Sequence, residues 1–268
     1  LDHLINLVGE LIVATAGANL AARRAQNVEL QECGATLNSL VEDVRNSALQ
    51  LRMVKIGSTF TRFKRVVHDV ARDLGKDIEL AIDGEDTELD KTVVEKIADP
   101  LTHLVRNAID HGIEPAALRR ERGKPEHGTI WLNAYHDSGT VVIEVGDDGG
   151  GLQRERLLAK AIERGIVEEG RHLSDAEVYA LIFEPGFSTA EQVTNLSGRG
   201  VGMDVVYSEI RQLGGTLQIH STEGKGSEFV IRLPFTLAVT QAVFVKIGDT
   251  SFAVPIASVQ GVGRIARV

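Results

Sequence analysis

Cysteine is almost missing from this chain. Cys33 is the only one in 268 residues, which excludes a disulfide framework and any Cys-based zinc site and fits a reducing compartment. Positive charge is also short: 29 Lys and Arg stand against 38 Asp and Glu, a formal net charge of -9. That balance argues against a nucleic-acid binder, which needs a basic face to neutralise phosphates. It argues equally against docking on an anionic membrane. No stretch reads as long and apolar enough to span a bilayer, so no direct membrane insertion is expected. Leu1 to Ala14 is apolar in part, but it carries Asp2, Asn6 and Glu10 and lacks a basic flank, so it does not read as a signal peptide. Internal repeats and low-complexity segments are lacking too. The chain begins without Met and ends inside a hydrophobic–polar alternation, and reads as a piece of something longer.

What is there suits packed cores. The hydrophobic fraction is 43%, and the length allows one large domain or two to three small ones. Leu1, Leu4, Ile5, Val8, Leu11 and Ile12 repeat at helical spacing, as do Leu37, Leu40, Val41, Val44, Ala48 and Leu51. A polar segment from Asn27 to Cys33 reads as the turn between them. Two such helices cannot bury both stripes alone. A second copy would complete a four-helix bundle, which predicts a homodimer; packing on the chain's own downstream domain is the alternative. Phe60, Phe63, Val67, Val70, Ala71 and Leu74 mark a further helix closed by Gly75. Asp77 to Ile82 alternates like a strand. Val93, Val94 and Ile97 mark a helix, and Asp99-Pro100 reads as the cap of the next one. Thr129 to His136 and Thr140 to Val145 read as a hairpin around Asp137-Ser138-Gly139. Two later strands flank Glu223-Gly224-Lys225-Gly226. Helices and paired strands in this order predict an α+β chain, a helical hairpin followed by a two-layer α/β sandwich. After Pro234, Ala242 to Ile247 and Ser251 to Pro255 read as the start of a β-rich domain.

Three segments carry chemistry. On a helix, His103, Asn107, Asp110 and His111 fall at i, i+4, i+7 and i+8 and make one polar stripe, opposite Leu101, Leu104, Val105, Ala108 and Ile109. An Asn oxygen on such a stripe can supply one position to Mg²⁺, which takes oxygen ligands and keeps several waters; a solvated helix face is the plainer reading of that helix alone. Asp147-Asp148-Gly149-Gly150-Gly151 ends a strand. A buried carboxylate there can accept from an adenine amino group, and Gly149 and Gly151 let backbone approach the base; an ordinary turn has the same composition. Gly198, Arg199, Gly200, Val201, Gly202 and Met203 lead into a helix, whose free N–H groups and positive end suit phosphate. The segment is no Walker loop, since no Gly-Lys-Ser/Thr follows, and no dinucleotide fingerprint, since no strand leads into it. A flexible linker is its bland alternative.

Together, and in this order, the segments resemble the ATP site of the GHKL superfamily, which includes gyrase-type ATPases, heat-shock chaperones, mismatch-repair ATPases and histidine kinases. Within it, His103-Leu104-Val105-Arg106-Asn107-Ala108-Ile109-Asp110-His111-Gly112-Ile113-Glu114 is similar to the N box of CheA-type chemotaxis histidine kinases. Phe183-Glu184-Pro185-Gly186-Phe187-Ser188-Thr189 resembles their F box, Asn6-Leu7-Val8-Gly9-Glu10-Leu11 their dimerisation helix, Leu51-Arg52-Met53-Val54 its exit, and Leu233-Pro234-Phe235-Thr236-Leu237-Ala238 their junction into a coupling domain. The resemblance covers essentially the whole chain. It implies a dimerisation hairpin over 1–56, an ATP-binding kinase domain over 57–236 and the opening strands of a CheW-like coupling domain over 237–268.

The same resemblance implies roles. Asn107 would hold Mg²⁺; His103 and His111, beside Asp110, would contact or orient the phosphate end; Asp147 would bind the adenine amino group in a pocket shaped by Gly149 and Gly151. Ser188, Thr189 and 198–202, with Met203, would form the lid. Ser227 stands where the superfamily usually has Thr, and Arg156 where the family often has Lys; both depart in residue type and keep the chemistry. The implied reaction is transfer of the ATP γ-phosphoryl group to a histidine on a phosphotransfer domain, then to an aspartate of a response regulator. A coupling protein and chemoreceptors at the inner face of the membrane are the implied partners, in the cytoplasm. No phosphotransfer domain and no His-Glu-x-x-x-Pro segment is present. A non-kinase ATPase of the superfamily and a catalytically silent scaffold are the alternatives.

Overall fold

The computed structural model describes residues 2–187, 202–234, 242–248 and 250–255. Two helices, α1 (Asp2–Arg24) and α2 (Val28–Gln50), pack as a hairpin. The turn between them is shorter than the polar run suggested. Asn27 caps α2, its side chain accepting from the Leu30 N–H, so the helix starts at Val28 and takes in the segment up to Cys33. Val8, Thr15 and Ala22 of α1, seven residues apart, are buried together with Val41, Ala48 and Leu49 of α2. Leu4, Leu7, Leu11, Leu20, Leu37, Leu40 and Val44 stay exposed. One sequence expectation needs correcting here. His3–Arg24 is, by length and composition, apolar enough to cross a bilayer, with a mean hydropathy of 1.5. Its apolar residues are spread by helical spacing along a hairpin stripe, with Glu10 among them, so they do not stand out as a continuous run.

Beyond the hairpin, β1 (Met53–Lys55) pairs antiparallel with β3 (Glu88–Asp90). Arg52 reaches Asp90 at 3.3 Å, and its carbonyl accepts from the Lys91 N–H at 3.2 Å. Ile56 is fully buried in the core of the downstream layer. These two short strands carry no alternation long enough to read from sequence.

The sheet that organises the rest has the order β2-β4-β5-β7-β6, with β2 (Ile78–Asp83), β4 (Gly128–Asp137), β5 (Thr140–Asp147), β6 (Thr216–Thr222) and β7 (Gly226–Pro234). β2 runs parallel to β4, and the remaining pairs are antiparallel. The β4–β5 hairpin closes on Ser138 and Gly139, both at positive φ, the turn that matches strand twist. Ile130, Leu132 and Ala134 of β4, Val141, Ile143 and Val145 of β5, and Ile231 and Leu233 of β7 point to one face. Against that face pack α3 (Gly57–Asp73), α4 (Lys91–Asn107) and α8 (Met203–Gln212). The architecture is the expected two-layer sandwich. A second apolar cluster joins α6 (Arg154–Glu163), α7 (Asp175–Ala180) and the 3₁₀ turn Leu181–Phe183 to Ile219 of β6. Stacking of Phe183 on Tyr207, centroids 5.2 Å apart, links it to α8. The hairpin of β8 (Ala242–Ile247) and β9 (Thr250–Pro255) forms a separate two-stranded sheet.

Asp99-Pro100 does not begin a helix. Both lie inside α4, whose cap is Asp90, accepting from the Thr92 N–H at 2.7 Å. Val93, Ile97, Leu101 and Leu104 form one continuous buried stripe. Burying side chains of this kind stabilises by about 1.5–3 kcal/mol each, enough to offset the interior proline's cost of about 3 kcal/mol.

Candidate functional site

The polar stripe is split between two kinds of helix. α4 ends at Asn107, and Ala108–Gly112 forms a π turn, with the Ile113 N–H bonded to the Ala108 carbonyl at 2.8 Å. His103 and Asn107 therefore sit on the α-helix while Asp110 and His111 sit on the wider turn. The regular spacing expected over all four does not hold. Single π turns inserted in helices are frequent at functional sites. The apolar side of the segment is buried as expected, through Leu101, Leu104, Val105, Ala108 and Ile109.

His103 is half-buried, and burial lowers its pKa, with Arg106 adding to the effect. Its imidazole is thus held neutral at neutral pH. Asn107 donates its amide N–H to Met203 Sδ at 3.1 Å, which joins the end of α4 to the start of α8. Its Oδ1 remains the hard-oxygen donor that Mg²⁺ prefers. Gly202 is the N-cap position of α8. Ser188, Thr189, Gly198, Arg199, Gly200 and Val201 lie outside the described residues.

Asp147 ends β5 on the core face and is 4% exposed. Burial raises its pKa to about 6; the N–H groups of Gly149 and Ser227 pull the other way, the former bonded to Oδ1 at 2.9 Å. Two glycines make its surroundings possible. A Cβ on Gly149 would lie 2.0 Å from the Gly112 carbonyl oxygen. The Gly112 carbonyl accepts from the Gly150 N–H at 2.9 Å, so the π turn and the loop after β5 are tied by backbone. Ser227 faces Asp147 in register on β7. Its hydroxyl bonds Ser221 Oγ at 2.9 Å, and Ser221 Oγ accepts the Leu152 N–H.

A cleft of about 670 Å³ opens between the π turn, the loop after β5 and α6. Its walls bring together Asp110, His111, Gly151 and Arg156. His103, Asn107, Asp147, Gly149 and Ser227 do not line it; Asp147 lies behind the wall that Gly112 and the loop after β5 form.

The neighbour of Asp147 behaves oppositely. Asp148 turns to Arg119 on α5 (Ala116–Glu121), which is 0% exposed and bonds both its oxygens, at 3.1 and 2.8 Å. Arg119 also reaches Glu114 at 3.3 Å, and Lys124 bonds Glu114 and the carbonyls of Asp148 and Gly149. Burial works to raise the Glu114 pKa, but Lys124, a backbone bond and Arg122 hold it below the ordinary value. Removing one partner of such a buried pair costs about 3–5 kcal/mol. No motif in the sequence singles out Arg119, Lys124 or Lys76. The available signal was the second acid, Asp148, which needed a cation, and the basic run Arg119, Arg120, Arg122 and Lys124 that could supply one. Among the described residues no group of three His, Cys, Asp or Glu is arranged to hold a metal ion.

Residues 96–237 match the histidine kinase-, DNA gyrase B-, and HSP90-like ATPase family. Over 97% of its length the chain is 44% identical to the chemotaxis protein CheA of Bacillus subtilis, covering 39% of that protein. It is 43% identical over its full length to the sensor histidine kinase CheAY of Helicobacter pylori, covering 34%, and 47% identical over 96% to CheA of Klebsiella aerogenes, covering 40%. The chain thus spans well under half the length of these curated relatives. With a family match over more than half the chain, and with a buried strand-end carboxylate beside a polar helix, it belongs to the histidine kinase-, DNA gyrase B- and HSP90-like ATPases.

Proposed function

We propose that this chain is the dimerisation and kinase portion of a protein histidine kinase of a chemotaxis-type two-component system. It transfers the γ-phosphoryl group of ATP to a histidine on a phosphotransfer domain, for relay to an aspartate of a response regulator. The observation that carries the reading is Asp147: a carboxylate 4% exposed at a strand end, with Gly112 and Gly149 clearing backbone beside it. It is suited to accept from the exocyclic amino group of adenine. The dimerisation hairpin is the helical pair within 1–50, the kinase domain is 57–236 with β1 and Ile56 packed into it, and 237–268 are the opening of a CheW-like coupling domain. The partners are a second copy, a phosphotransfer domain, a response regulator, a coupling protein and chemoreceptors, in the cytoplasm at receptor arrays.

The residues present fit Mg²⁺ brought in with the nucleotide. A site with one protein oxygen, from Asn107, needs phosphate oxygens and waters for the rest, and no protein cage is found among the described residues. When bound, the ion neutralises charge on the phosphates. Neutral His103 and the exposed His111, with Arg156 on the cleft wall, orient the phosphate end. Catalysis is then mostly positioning and electrostatics. Incubation with labelled ATP and a phosphotransfer domain of the family tests the reading. Label on histidine is the expected result; free phosphate alone makes the protein an ATPase, and no turnover makes it a scaffold.

A further inference from the structure

We propose that Lys76 is a positioning residue of the nucleotide site, acting by holding the π turn over 108–112 in its widened form. The inference rests on the ATP-site reading above. Lys76 lies outside the family match and outside the polar stripe, in the connection between α3 and β2.

Its backbone is fixed by the end of α3. The Lys76 N–H bonds the Ala71 carbonyl at 2.9 Å and the Gly75 N–H bonds that of Arg72 at 3.1 Å, with Gly75 at φ +63. This double bond pattern is a Schellman cap. From it the side chain reaches 33 to 37 residues ahead. Nζ donates to the carbonyls of Ile109 at 2.6 Å, Asp110 at 3.3 Å and Ile113 at 2.8 Å. A helix end leaves carbonyls without intrahelical donors and carries partial negative charge. One ammonium, with three rotatable donors, answers three of them. Burial lowers the Lys76 pKa, while Asp110 and Glu114 oppose the shift.

The turn so held does two things. It displays Asp110 and His111 into the cleft. It also sets Gly112, whose carbonyl anchors Gly150 and where any Cβ would stand 2.9 Å from the Asp147 carboxylate. Without Lys76 the turn loses the donors that favour its extra residue, and Gly112 no longer holds its place beneath the base end. Ground-state and transition-state nucleotide lean on the base end equally, so the loss through Gly112 falls on KM, while displacement of Asp110 and His111 at the phosphate end lowers kcat as well.

The test compares the whole chain with Lys76→Met and Lys76→Arg, using ATP and a phosphotransfer domain. Lys76→Met is expected to raise KM for ATP by about tenfold, as removal of uniform binding does, with a further fall in kcat of a few-fold from the displaced phosphate-end side chains. Lys76→Arg, which restores the cation, recovers most of that loss. Amide exchange over 108–114 without nucleotide is expected to quicken in Lys76→Met. Unchanged KM and unchanged exchange overturn the proposal. So does a loss in kcat alone, or an Arg variant no better than Met. If the parent chain binds no ATP, the nucleotide reading falls, and amide exchange still decides whether Lys76 holds the turn.

Discussion

Gly112 and Asp147 touch across the site with no side chain between them: a Cβ on Gly112 would stand 2.9 Å from the carboxyl carbon and from both carboxylate oxygens of Asp147. The π turn and the end of β5 are therefore fitted to each other, and whatever moves one moves the other.

Gly112→Ala is expected to push on that contact. Overpacking of this kind costs about 1–3 kcal/mol, and the affected atoms are those that would meet adenine. ATP affinity should fall by more than the loss of folding stability alone produces. Thermal melting and nucleotide titration on the same preparation measure both. An Ala variant with the parent's ATP affinity means that the carboxylate and the turn are not coupled.

Asp147 gives a pH prediction with two opposite signs. Its folded pKa, about 6, lies above the ordinary 3.8 because burial disfavours the charge. A carboxyl with a raised folded pKa contributes stability that is present below the unfolded value and is lost as pH rises through the folded one. Two units correspond to about 3 kcal/mol. Asp147→Asn should therefore melt higher than the parent at pH 7.5, with the advantage vanishing near pH 4. The gain is below the full figure, because an amide accepts less well than a carboxylate from the N–H groups of Gly149 and Ser227. The same variant should bind ATP more weakly, by about 1.5–3 kcal/mol for a charge-assisted bond. GTP, lacking the amino group, should bind poorly to the parent. Equal ATP and GTP affinity in the parent counts heavily against the pocket.

Much of this site was legible because its parts are punctuated. Asp147 followed by glycines marks a strand end, and the hairpin at Ser138-Gly139 follows from turn chemistry alone. The sandwich follows from the order of periodic segments. What could not be read depends on tertiary choice. Asp99-Pro100 has every local mark of a helix start, yet the apolar stripe from Val93 to Leu104 carries the helix through it. The π turn has no periodic signature, because one extra residue shifts the phase only after it has occurred. Lys76 and Arg119 act over long separations in sequence, and a lone lysine or a surface-looking arginine run does not announce a buried destination.

Asn107→Ala separates binding from chemistry. The Asn107 amide N–H bonds Met203 Sδ, and its oxygen is the proposed Mg²⁺ donor. The adenine contacts proposed for Asp147 should survive the substitution. Phosphotransfer should drop by about a hundredfold or more, as loss of several kcal/mol of metal stabilisation implies, with a much smaller change in ATP affinity. Rate and affinity measured side by side decide, and full activity in the variant removes Asn107 from the metal.

The hairpin makes the last prediction. α1 and α2 cover each other along Val8, Thr15, Ala22, Val41 and Ala48, but Leu4, Leu7, Leu11, Leu20, Leu37, Leu40 and Val44 remain exposed on both helices. Seven large apolar side chains on one antiparallel pair are what a second hairpin would bury in a four-helix bundle. The test deletion must stop after Gln50 rather than at 56, because β1 pairs with β3 and Ile56 is buried in the downstream core. A chain lacking 1–50 should be a folded monomer that binds ATP as the parent does, since the nucleotide residues lie downstream. It should phosphorylate an added phosphotransfer domain slowly, because the subunit arrangement is gone. Light scattering and nucleotide titration on the two chains give the answer. A truncated chain that remains dimeric places the interface elsewhere, and one that does not fold shows that the hairpin is part of the kinase core.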